Sequence, residues 1–267
     1  MHVLVLGCGY LGKLVAERCE RVTALTRSPE RAVEFQRRGW HPIIGDILDP
    51  SLRLPEADVT VFAVGFDRRT GRSRREVYVG GLRNVLTLLP QNNRLIYVSS
   101  TGVYAQTDGS EVNETSPTEA LDETGRVVCD AERLLLEYQP DAIRLRFAGI
   151  YGPGRFLRTE SIKLGEPVPG NPDAWLNLIH VEDGARAVMA AIRCGASGEV
   201  YNVVDNEPVK RHDYFVHLAR LVGAPPVVFA PEQPSRGRTT NRRVSNRRMR
   251  EQLGVELIYP TYREGLA

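Results

Sequence analysis

A regular alternation of short apolar runs with helix-forming stretches restricts the fold of this chain more than any other feature. The runs predicted to be β-strands are MHVLVLG, RVTALTR, HPIIGD, ADVTVFAVG and NRLIYVSS. The stretches predicted to be helices are LGKLVAERC, SPERAVEFQRRG and EVYVGGLRNVLTLL. Strands that alternate with helices at this spacing indicate βαβ units, which build a parallel sheet. Nearly continuous apolar strands such as VLVL and VTVFAV agree, because a parallel strand is covered on both faces.

The alternation weakens after IRLRFAGIYGPG (143–154), and glycine and proline become dense between residues 149 and 173. We therefore predict an α/β fold with a Rossmann-type, doubly wound parallel sheet over residues 1–150 and a smaller C-terminal substrate lobe over residues 151–267. Some segments of the second part are expected to return strands to the sheet. The chain has 267 residues, of which 42% are hydrophobic, so it can bury a sizeable core.

Composition excludes several classes of function. The formal net charge of +2 gives no global argument for binding nucleic acid or a membrane. No apolar run approaches the roughly 18 residues of a membrane span, and the first strand begins at about residue 2, so we expect a cytoplasmic protein. The four cysteines, at positions 8, 19, 129 and 194, form no C-x-x-C pair, and no histidine stands at zinc spacing. We expect reduced, buried thiols and no metal.

The segment GCGYLG (7–12) is a G-x-G-x-x-G that follows one predicted strand and opens a predicted helix. Gly7 would permit the tight turn, Gly9 would let the backbone approach a pyrophosphate, and Gly12 would let the helix pack on the strand. The helix N-terminus, with Tyr10 and Leu11, would offer unpaired N–H groups to the phosphates. The segment predicts dinucleotide binding. An unoccupied Rossmann turn and a methyltransferase with a nucleoside cofactor remain as alternatives.

The end of the second strand distinguishes NADP from NAD. An acidic residue about 20 positions after the first glycine would bind the 2′-OH of NAD. This chain has Thr26, Arg27 and Ser28 there instead, with Arg31 one turn later. Arginine and serine favour a 2′-phosphate through charge-assisted hydrogen bonds. We therefore predict NADP, with NAD as the less favoured cofactor; a surface arginine pointing to water is the alternative for Arg27.

The third predicted strand ends in a carboxylate, Asp46, followed by Ile47. Asp46 could accept a hydrogen bond from the adenine amine, and we predict that both residues contact the cofactor. Asp46 could equally cap the turn that follows.

The run LIYVSSTGVYAQT (95–107) passes from apolar residues into a group of hydroxyls. Such a run indicates a buried strand that emerges into a site, and Ser99, Ser100, Thr101 and Tyr104 are the candidates for chemistry there.

Six motifs in this order resemble the extended short-chain dehydrogenase/reductase family of NAD(P)-dependent nucleotide-sugar epimerases, dehydratases and reductases. They are GCGYLG, GDILDP, FAVG, YVSSTGVY, IRLRFAGIYGPG and LNLIHVEDGARAV. The likeness covers nearly the whole chain, out to NRRMREQLGVELIYPTYREGL (246–266), which is similar to the family's closing helix and tail.

The resemblance implies roles for the matching positions. Ser100 would hydrogen-bond the reacting oxygen of the substrate, and its neighbour Thr101 could substitute for it. The positions implied to lie near the cofactor are Ala63, Val64, Gly65, Ser99, Phe147 and Ala148. His180 and Asp183 are expected to be structural: Asp183 would cap a helix, and His180 would satisfy backbone groups.

One departure from the family is large. Its proton donor is a tyrosine four residues before a lysine, because the lysine lowers the pKa of the tyrosine. The matching stretch here, ETGRVVCDAERLLLE (123–137), puts Thr124 and Val128 on those positions. None of the three lysines of the chain has a tyrosine four residues before it. The chain therefore resembles the atypical branch of the family.

Arg126, on the same predicted helix, could hold the ribose or polarise a carbonyl, but its pKa is too high for a general acid. Tyr104 could donate a proton if its ring turned toward the site, or it could pack as a wall residue at the strand end. A proton from water is a third route. Two functions remain open: an oxidoreductase, epimerase or dehydratase with an altered proton relay, and a non-catalytic sensor of the dinucleotide.

Segment 235–250, SRGRTTNRRVSNRRMR, contains seven arginines and no acid. A solvated helix face is the ordinary explanation of such a run, and a contact with an anionic substrate is the functional one. We expect a small-molecule substrate that could be anionic, a role that a sugar nucleotide could fill. We expect no nucleic acid and no membrane, and a homodimer is possible.

Overall fold

A computed structural model describes residues 1–120, 122–231 and 240–267 of the chain. Residues 235–239 of the arginine-rich segment lie outside the described residues.

A seven-stranded parallel sheet forms the centre of the molecule and confirms the predicted Rossmann-type fold. Its strands are β1 (His2–Leu6), β2 (Arg21–Thr26), β3 (His41–Ile44), β4 (Val59–Phe62), β5 (Arg94–Ser100), β7 (Ile143–Phe147) and β12 (Val200–Val203). Their order across the sheet is β3-β2-β1-β4-β5-β7-β12. The order therefore reverses between β1 and β4, and α/β folds bind ligands outside the carboxyl ends of the strands at such a point.

Helices cover both faces of this sheet: α1 (Tyr10–Ala16), α2 (Pro29–Arg37), α3 (Leu82–Leu88), α4 (Glu123–Tyr138), α6 (Val181–Cys194) and α8 (Arg247–Leu253). Three further helices, α5 (Thr159–Lys163), α7 (Arg211–Leu221) and α9 (Tyr262–Leu266), pack away from the sheet. Alternate residues of β1 point to opposite faces. Val3 and Val5 pack with α1, α2, α6 and α8, whereas Leu4 and Leu6 pack with α3 and α4. All four of these side chains are buried, which explains the continuous apolar strand.

Short strand pairs build the smaller lobe. These strands are β6 (Glu111–Val112), β8 (Gly149–Tyr151), β9 (Val168–Pro169), β10 (Trp175–Leu176), β11 (Leu178–His180), β13 (Val209–Lys210), β14 (Phe229–Ala230) and β15 (Arg243–Val244). They pair as β6–β15, β8–β11, β9–β14 and β10–β13. A separate apolar cluster around Tyr151, Tyr214 and Tyr262 packs α5, α7 and α9 against β8, β9, β11 and β13. The pair β6–β15 packs instead with Tyr104 and α4, through Val112 and Val244. Segment 200–203, from the second half of the chain, joins the main sheet as β12.

Local signals set the bounds of several helices. Ser28 caps α2, since its Oγ accepts a hydrogen bond from the Arg31 N–H at 3.1 Å, and Pro29 is the first helical residue, as predicted. Gly39 follows α2 with a φ of +78°. The stretch EVYVGGLRNVLTLL departs from the predicted regular helix, because Glu76–Gly81 forms a π-helical turn before α3 begins.

All four cysteines are free, and Cys8 is buried, but Cys194 is exposed, so the expectation of uniformly buried thiols was wrong. Burial raises the pKa of the Cys8 thiol to about 12, so this thiol stays protonated at neutral pH. In the described part of the chain no helix is both long and apolar enough to cross a bilayer.

Asp205, which follows β12, is a buried acid whose ionisation should affect stability. One oxygen accepts from the Glu207 N–H at 3.2 Å, while Oδ2 has no partner among the described residues. Burial raises the pKa of this carboxyl well above its ordinary range, and the charges of Glu207, Asp183 and Glu264 add to the effect. The neutral acid is therefore the form that the fold accommodates.

Because the folded-state pKa is raised, the contribution of Asp205 is fully present below the unfolded pKa of about 3.9 and is lost as pH rises through the folded pKa. We expect Asp205→Asn to unfold at higher urea concentration than the wild type at about pH 8, with a smaller difference at about pH 5. The exposed Asp173→Asn is the control. An equal or lower urea midpoint for Asp205→Asn at the higher pH would contradict the expectation.

Candidate functional site

A cleft of about 880 Å³ opens at the carboxyl ends of the sheet strands, next to the point where the strand order reverses. Most of the residues that the sequence predicts for the site line it: Gly7, Gly9, Tyr10, Leu11, Thr26, Arg27, Arg31, Asp46, Ile47, Ala63, Val64, Gly65, Ser99, Ser100, Phe147 and Ala148. Five predicted residues are not in its lining: Gly12, Ser28, Thr101, Tyr104 and Arg126.

The glycine turn forms the floor of the cleft. Gly7 has a φ of +90°, and a Cβ there would lie 2.4 Å from the Ala63 carbonyl oxygen on the neighbouring strand. A Cβ on Gly12 would lie 2.5 Å from the Gly7 carbonyl oxygen, so α1 packs directly on the turn. Gly9 is the N-cap of α1, and a Cβ there would meet only the Gly7 oxygen, at 4.0 Å. The three glycines thus have the geometries that the fingerprint predicts, with open space over Gly9.

Arg27 lies between two carboxylates at the predicted adenosine end of the cleft. Its Nη1 is 4.0 Å from Asp46 Oδ2, and half of its side chain is exposed. The pKa of Asp67 is lowered mainly by its hydrogen bond with Arg69, and the charge of Arg27 contributes. The Asp46 carboxylate also accepts from the Leu48 N–H at 3.0 Å, so it does close the next turn.

The other two predicted residues of this end have different partners. The Ser28 hydroxyl donates to Glu30 Oε2 at 2.5 Å while it caps α2, and it does not line the cleft. The Arg31 guanidinium donates to the Cys8 carbonyl oxygen, which ties α2 to the glycine turn.

A second group of arginines at the cleft was missed from the sequence. The loop after β4 contains RRTGRSRR (68–75), with five arginines in eight residues, a signal as strong as that of segment 235–250. Together with Arg27, Arg31 and Arg155, this loop brings seven arginines to the cleft lining, against the acids Asp46 and Asp67; the loop residues are Arg68, Arg69, Arg72 and Arg74. The described lining is therefore strongly positive and suits a polyanion.

The two serines at the end of β5 have different surroundings. The Ser100 Oγ accepts from the Gly102 N–H at 3.1 Å and donates to no described residue, so its proton remains for a ligand. The Ser99 hydroxyl instead donates inward to Glu132 Oε1 at 2.5 Å. Thr101 is buried and begins a short 3₁₀ turn, Thr101–Val103. Of these three residues, only Ser100 presents a hydroxyl to the cleft without a protein acceptor.

Behind the serines lies a buried ion pair that sequence reasoning did not find. Arg146 on β7 binds Glu132 on α4 through Nε–Oε1 (3.0 Å) and Nη2–Oε2 (2.7 Å). Glu132 is 5% exposed and Arg146 is 4% exposed. Buried charges are normally paired. An acidic residue on the buried face of α4, together with an arginine on a central strand, could therefore have indicated this ion pair from the sequence.

Tyr104 belongs to this buried network and not to the cleft. Its hydroxyl donates to Asn202 Oδ1 at 2.8 Å and accepts from Arg146 Nη1 at 3.0 Å, and the residue has no exposed surface. Burial raises the pKa of this phenol, although the nearby Arg146 charge opposes the shift. Tyr104 therefore packs as a wall residue at the strand end, and its ring does not turn toward the site.

The two positions that the resemblance aligns with the family's tyrosine and lysine, Thr124 and Val128, both lie on α4. Val128 is buried and lines the cleft, so the side chain at the position aligned with the lysine is apolar. Thr124 and Arg126 are exposed on the same helix, outside the cleft lining.

His180 and Asp183 have structural contacts. His180 Nδ1 accepts from the Glu182 N–H at 3.3 Å, at the start of α6. Asp183 accepts from the N–H groups of Ile258 and Tyr259, both at 2.8 Å. The expectation that Asp183 caps a helix was therefore wrong, since its carboxylate fastens the C-terminal segment to α6.

The described part of segment 235–250 does not reach the cleft lining. Arg247 pairs with Glu251 at 2.8 Å, and Arg248 pairs with Glu199 at 2.7 Å. Arg242 is buried instead, and its Nη2 donates to the Thr101 carbonyl oxygen at 2.6 Å.

Comparisons with known proteins place the chain in a family. The model of the NAD dependent epimerase/dehydratase family matches residues 3–204. Protein YeeZ of Escherichia coli (strain K12) is 29% identical over 274 residues, covering 97% of this chain and 96% of YeeZ. A 3-diazoavenalumate denitrifying reductase of a Streptomyces species is 32% identical over 160 residues, covering 54% of this chain and 52% of the reductase.

A solved structure shows the same fold. The dTDP-glucose 4,6-dehydratase DesIV of Streptomyces venezuelae, with NAD bound, superposes with a TM-score of 0.84 at 20% identity, covering 100% of this chain and 95% of the dehydratase.

Breaking the buried ion pair should be strongly destabilising. Arg146→Met leaves the buried Glu132 with only the more distant Arg144, whose Nη1 is 4.0 Å from Oε2, and we expect the free energy of unfolding in urea to fall by about 3–5 kcal/mol. Glu132→Leu together with Arg146→Met removes both charges and should recover most of the loss. A double variant as unstable as the single one would show that the lost packing, and not the unpaired charge, is responsible.

Proposed function

Because the chain belongs to the NAD dependent epimerase/dehydratase family, we propose that it is an NAD(P)-dependent oxidoreductase, epimerase or dehydratase. The observation that carries the proposal is the presence in one cleft of the Gly7–Gly12 floor and of the Ser100 hydroxyl, whose proton has no acceptor among the described residues. The space over Gly9 fits a diphosphate, since a side chain there would fill it. When bound, the dinucleotide would supply or accept hydride.

We propose that NADP is preferred over NAD. Seven arginines against two acids in the cleft lining favour the more highly charged dinucleotide. Arg27 would bind the 2′-phosphate, and Asp46 would accept from the adenine amine, in keeping with their side-by-side placement. Ala63, Val64 and Gly65 would lie under the adenosine and pyrophosphate, and Phe147 near the nicotinamide.

We propose a small carbonyl compound or a sugar-nucleotide-like molecule as substrate. Ser100 would donate a hydrogen bond to the reacting oxygen, since its proton has no protein acceptor. Neither Val128 at the cleft wall nor the buried Tyr104 hydroxyl can serve as the family's proton relay. The proton would therefore come from water at the open side of the cleft.

A non-catalytic dinucleotide sensor is the second candidate. The apolar Val128 at the lysine position and the absence of a Tyr-x-x-x-Lys sequence favour it. The Ser100 hydroxyl in the cleft lining, whose proton has no described acceptor, favours the enzyme, because a sensor does not need a group that binds a reacting oxygen.

The substitution Arg27→Asp should weaken the binding of NADPH more than the binding of NADH. The substitution places a third carboxylate beside Asp46 and Asp67, so NADPH binding should weaken by about 1.5–3 kcal/mol, roughly tenfold to a hundredfold, with a much smaller change for NADH. Fluorescence titration with each reduced cofactor measures this. Arg37→Asp, on the exposed side of α2, should leave both affinities unchanged. Equal losses for NADPH and NADH with Arg27→Asp would refute the assignment of Arg27.

The substitution Ser100→Ala tests whether the protein is an enzyme or a sensor. We expect NADPH affinity to be retained and the rate of NADPH oxidation against a panel of carbonyl compounds and sugar nucleotides to fall by roughly 10²–10³-fold. Ser116→Ala, in an exposed loop, is the control. Tight NADPH binding without turnover by the wild type would favour the sensor.

A further inference from the structure

Arg155, in the turn that follows β8, is an arginine of the cleft lining whose side chain has no described acceptor. The residue is exposed, and no carboxylate among the described residues forms an ion pair with it. Arg31 also lies beside the glycine turn, but its guanidinium already donates to the Cys8 carbonyl oxygen. The N–H groups of Arg155 are therefore available to a ligand in the cleft.

A contact with Tyr10 places the Arg155 guanidinium beside the glycine turn. Its Cζ atom lies 5.4 Å from the centroid of the Tyr10 ring, and Tyr10 follows Gly9 directly in the chain. Burial raises the pKa of the Tyr10 phenol, and the charge of Arg155 opposes this shift, in keeping with their proximity. A guanidinium that lies over a ring uses its face for that contact, so the N–H donors in its plane stay free.

Hydrogen bonds hold the turn of residues 152–155 in this position. The Arg155 N–H donates to the Gly152 carbonyl oxygen at 2.9 Å, and the Tyr10 hydroxyl donates to the Pro153 carbonyl oxygen at 3.0 Å. Gly152 has a φ of +147°, and a Cβ there would lie 2.8 Å from Tyr10 Oη. The backbone of the smaller lobe is thus fastened to Tyr10, and Arg155 reaches the cleft from the side of that lobe.

The charges of the lining favour an anion at this position. Its two acids, Asp46 and Asp67, both lie near Arg27, at the predicted adenosine end. In the proposed function a diphosphate occupies the space over Gly9, the residue before Tyr10. Arginine matches the geometry of a phosphoryl group, because its planar fork can donate two parallel hydrogen bonds.

We propose that Arg155 binds an oxygen of the dinucleotide diphosphate, so that the diphosphate is held between the glycine turn and the smaller lobe. This inference rests on the proposed function and assigns a second arginine a role different from that of Arg27. Arg27 would bind a phosphate that only NADP has, whereas the diphosphate is common to NADP and NAD. A cofactor held in this way joins the two parts of the chain.

The test is the affinity of the full chain with Arg155→Gln for NADPH and for NADH, measured by fluorescence titration. Both affinities should fall by about tenfold or more, and by the same factor, because a charge-assisted hydrogen bond to a shared group is lost. The factor should shrink when the salt concentration rises from about 0.05 M to about 0.5 M, since salt screens an exposed ionic contact.

Arg158→Gln is the matched control, since Arg158 is exposed in the same segment but does not line the cleft. Its affinities should equal those of the wild type. Unchanged affinities with Arg155→Gln would overturn the proposal, as would a loss for NADPH alone, which would assign Arg155 to the 2′-phosphate. A loss that does not depend on salt would also overturn it, because a displaced turn and not a missing charge would then be responsible.

The wild-type titrations distinguish this inference from the proposed function. A wild type that binds neither NADPH nor NADH would contradict the proposed function itself. A wild type that binds them as well as Arg155→Gln does would contradict only the role of Arg155.

Discussion

The buried pair of Glu132 and Arg146 is the interaction on which the arrangement of the cleft depends. It joins α4 to β7 beneath the end of β5, and Ser99 and Tyr104 are both hydrogen-bonded to it. Because both charges are almost fully buried, each requires the other, and neither side chain can turn outward without leaving an unpaired charge. The pair also holds Ser99 through Glu132, and Arg242 holds the Thr101 carbonyl oxygen, so both sequence neighbours of Ser100 are fixed.

This arrangement separates the support of α4 from the positions that the resemblance assigns to the proton relay. Thr124 and Val128, which the resemblance aligns with the Tyr-x-x-x-Lys pair, lie on the first two turns of α4, whereas the Glu132 contact lies one turn further on. The helix is therefore anchored by a residue that takes no part in proton transfer. Thr124 and Val128 could replace the tyrosine and lysine without releasing α4 from the sheet.

The sequence alone predicted the elements governed by local rules. The strand-helix alternation, the Ser28 cap and the three glycine geometries depend on residues within one turn or one strand, so their patterns are visible in the chain. The direction of Tyr104 and the partners of Asp183 were not predictable in this way. Tyr104 meets Asn202, and Asp183 meets Ile258, so each contact joins residues more than 70 positions apart.

At the cleft too, single residues could be predicted from the local sequence, whereas their neighbours in the fold could not. Arg27 was identifiable from its position at the end of β2, but its neighbours Asp46 and Asp67 come from two other loops. The five arginines of residues 68–75 are plain in the sequence, but they were not predicted to lie at the cleft. Their place at the cleft became apparent only when the end of β4 was located beside the glycine turn.

The close approach of Gly7 to Ala63 also has a consequence for how the chain folds. Residues 7–12 are synthesised early, but the strand beside this turn, β4, begins more than 50 residues later in the chain. Linking such distant segments is slow compared with forming helices, because a long loop must close first. During synthesis, the cleft therefore cannot assemble until β4 has left the ribosome and inserted beside β1.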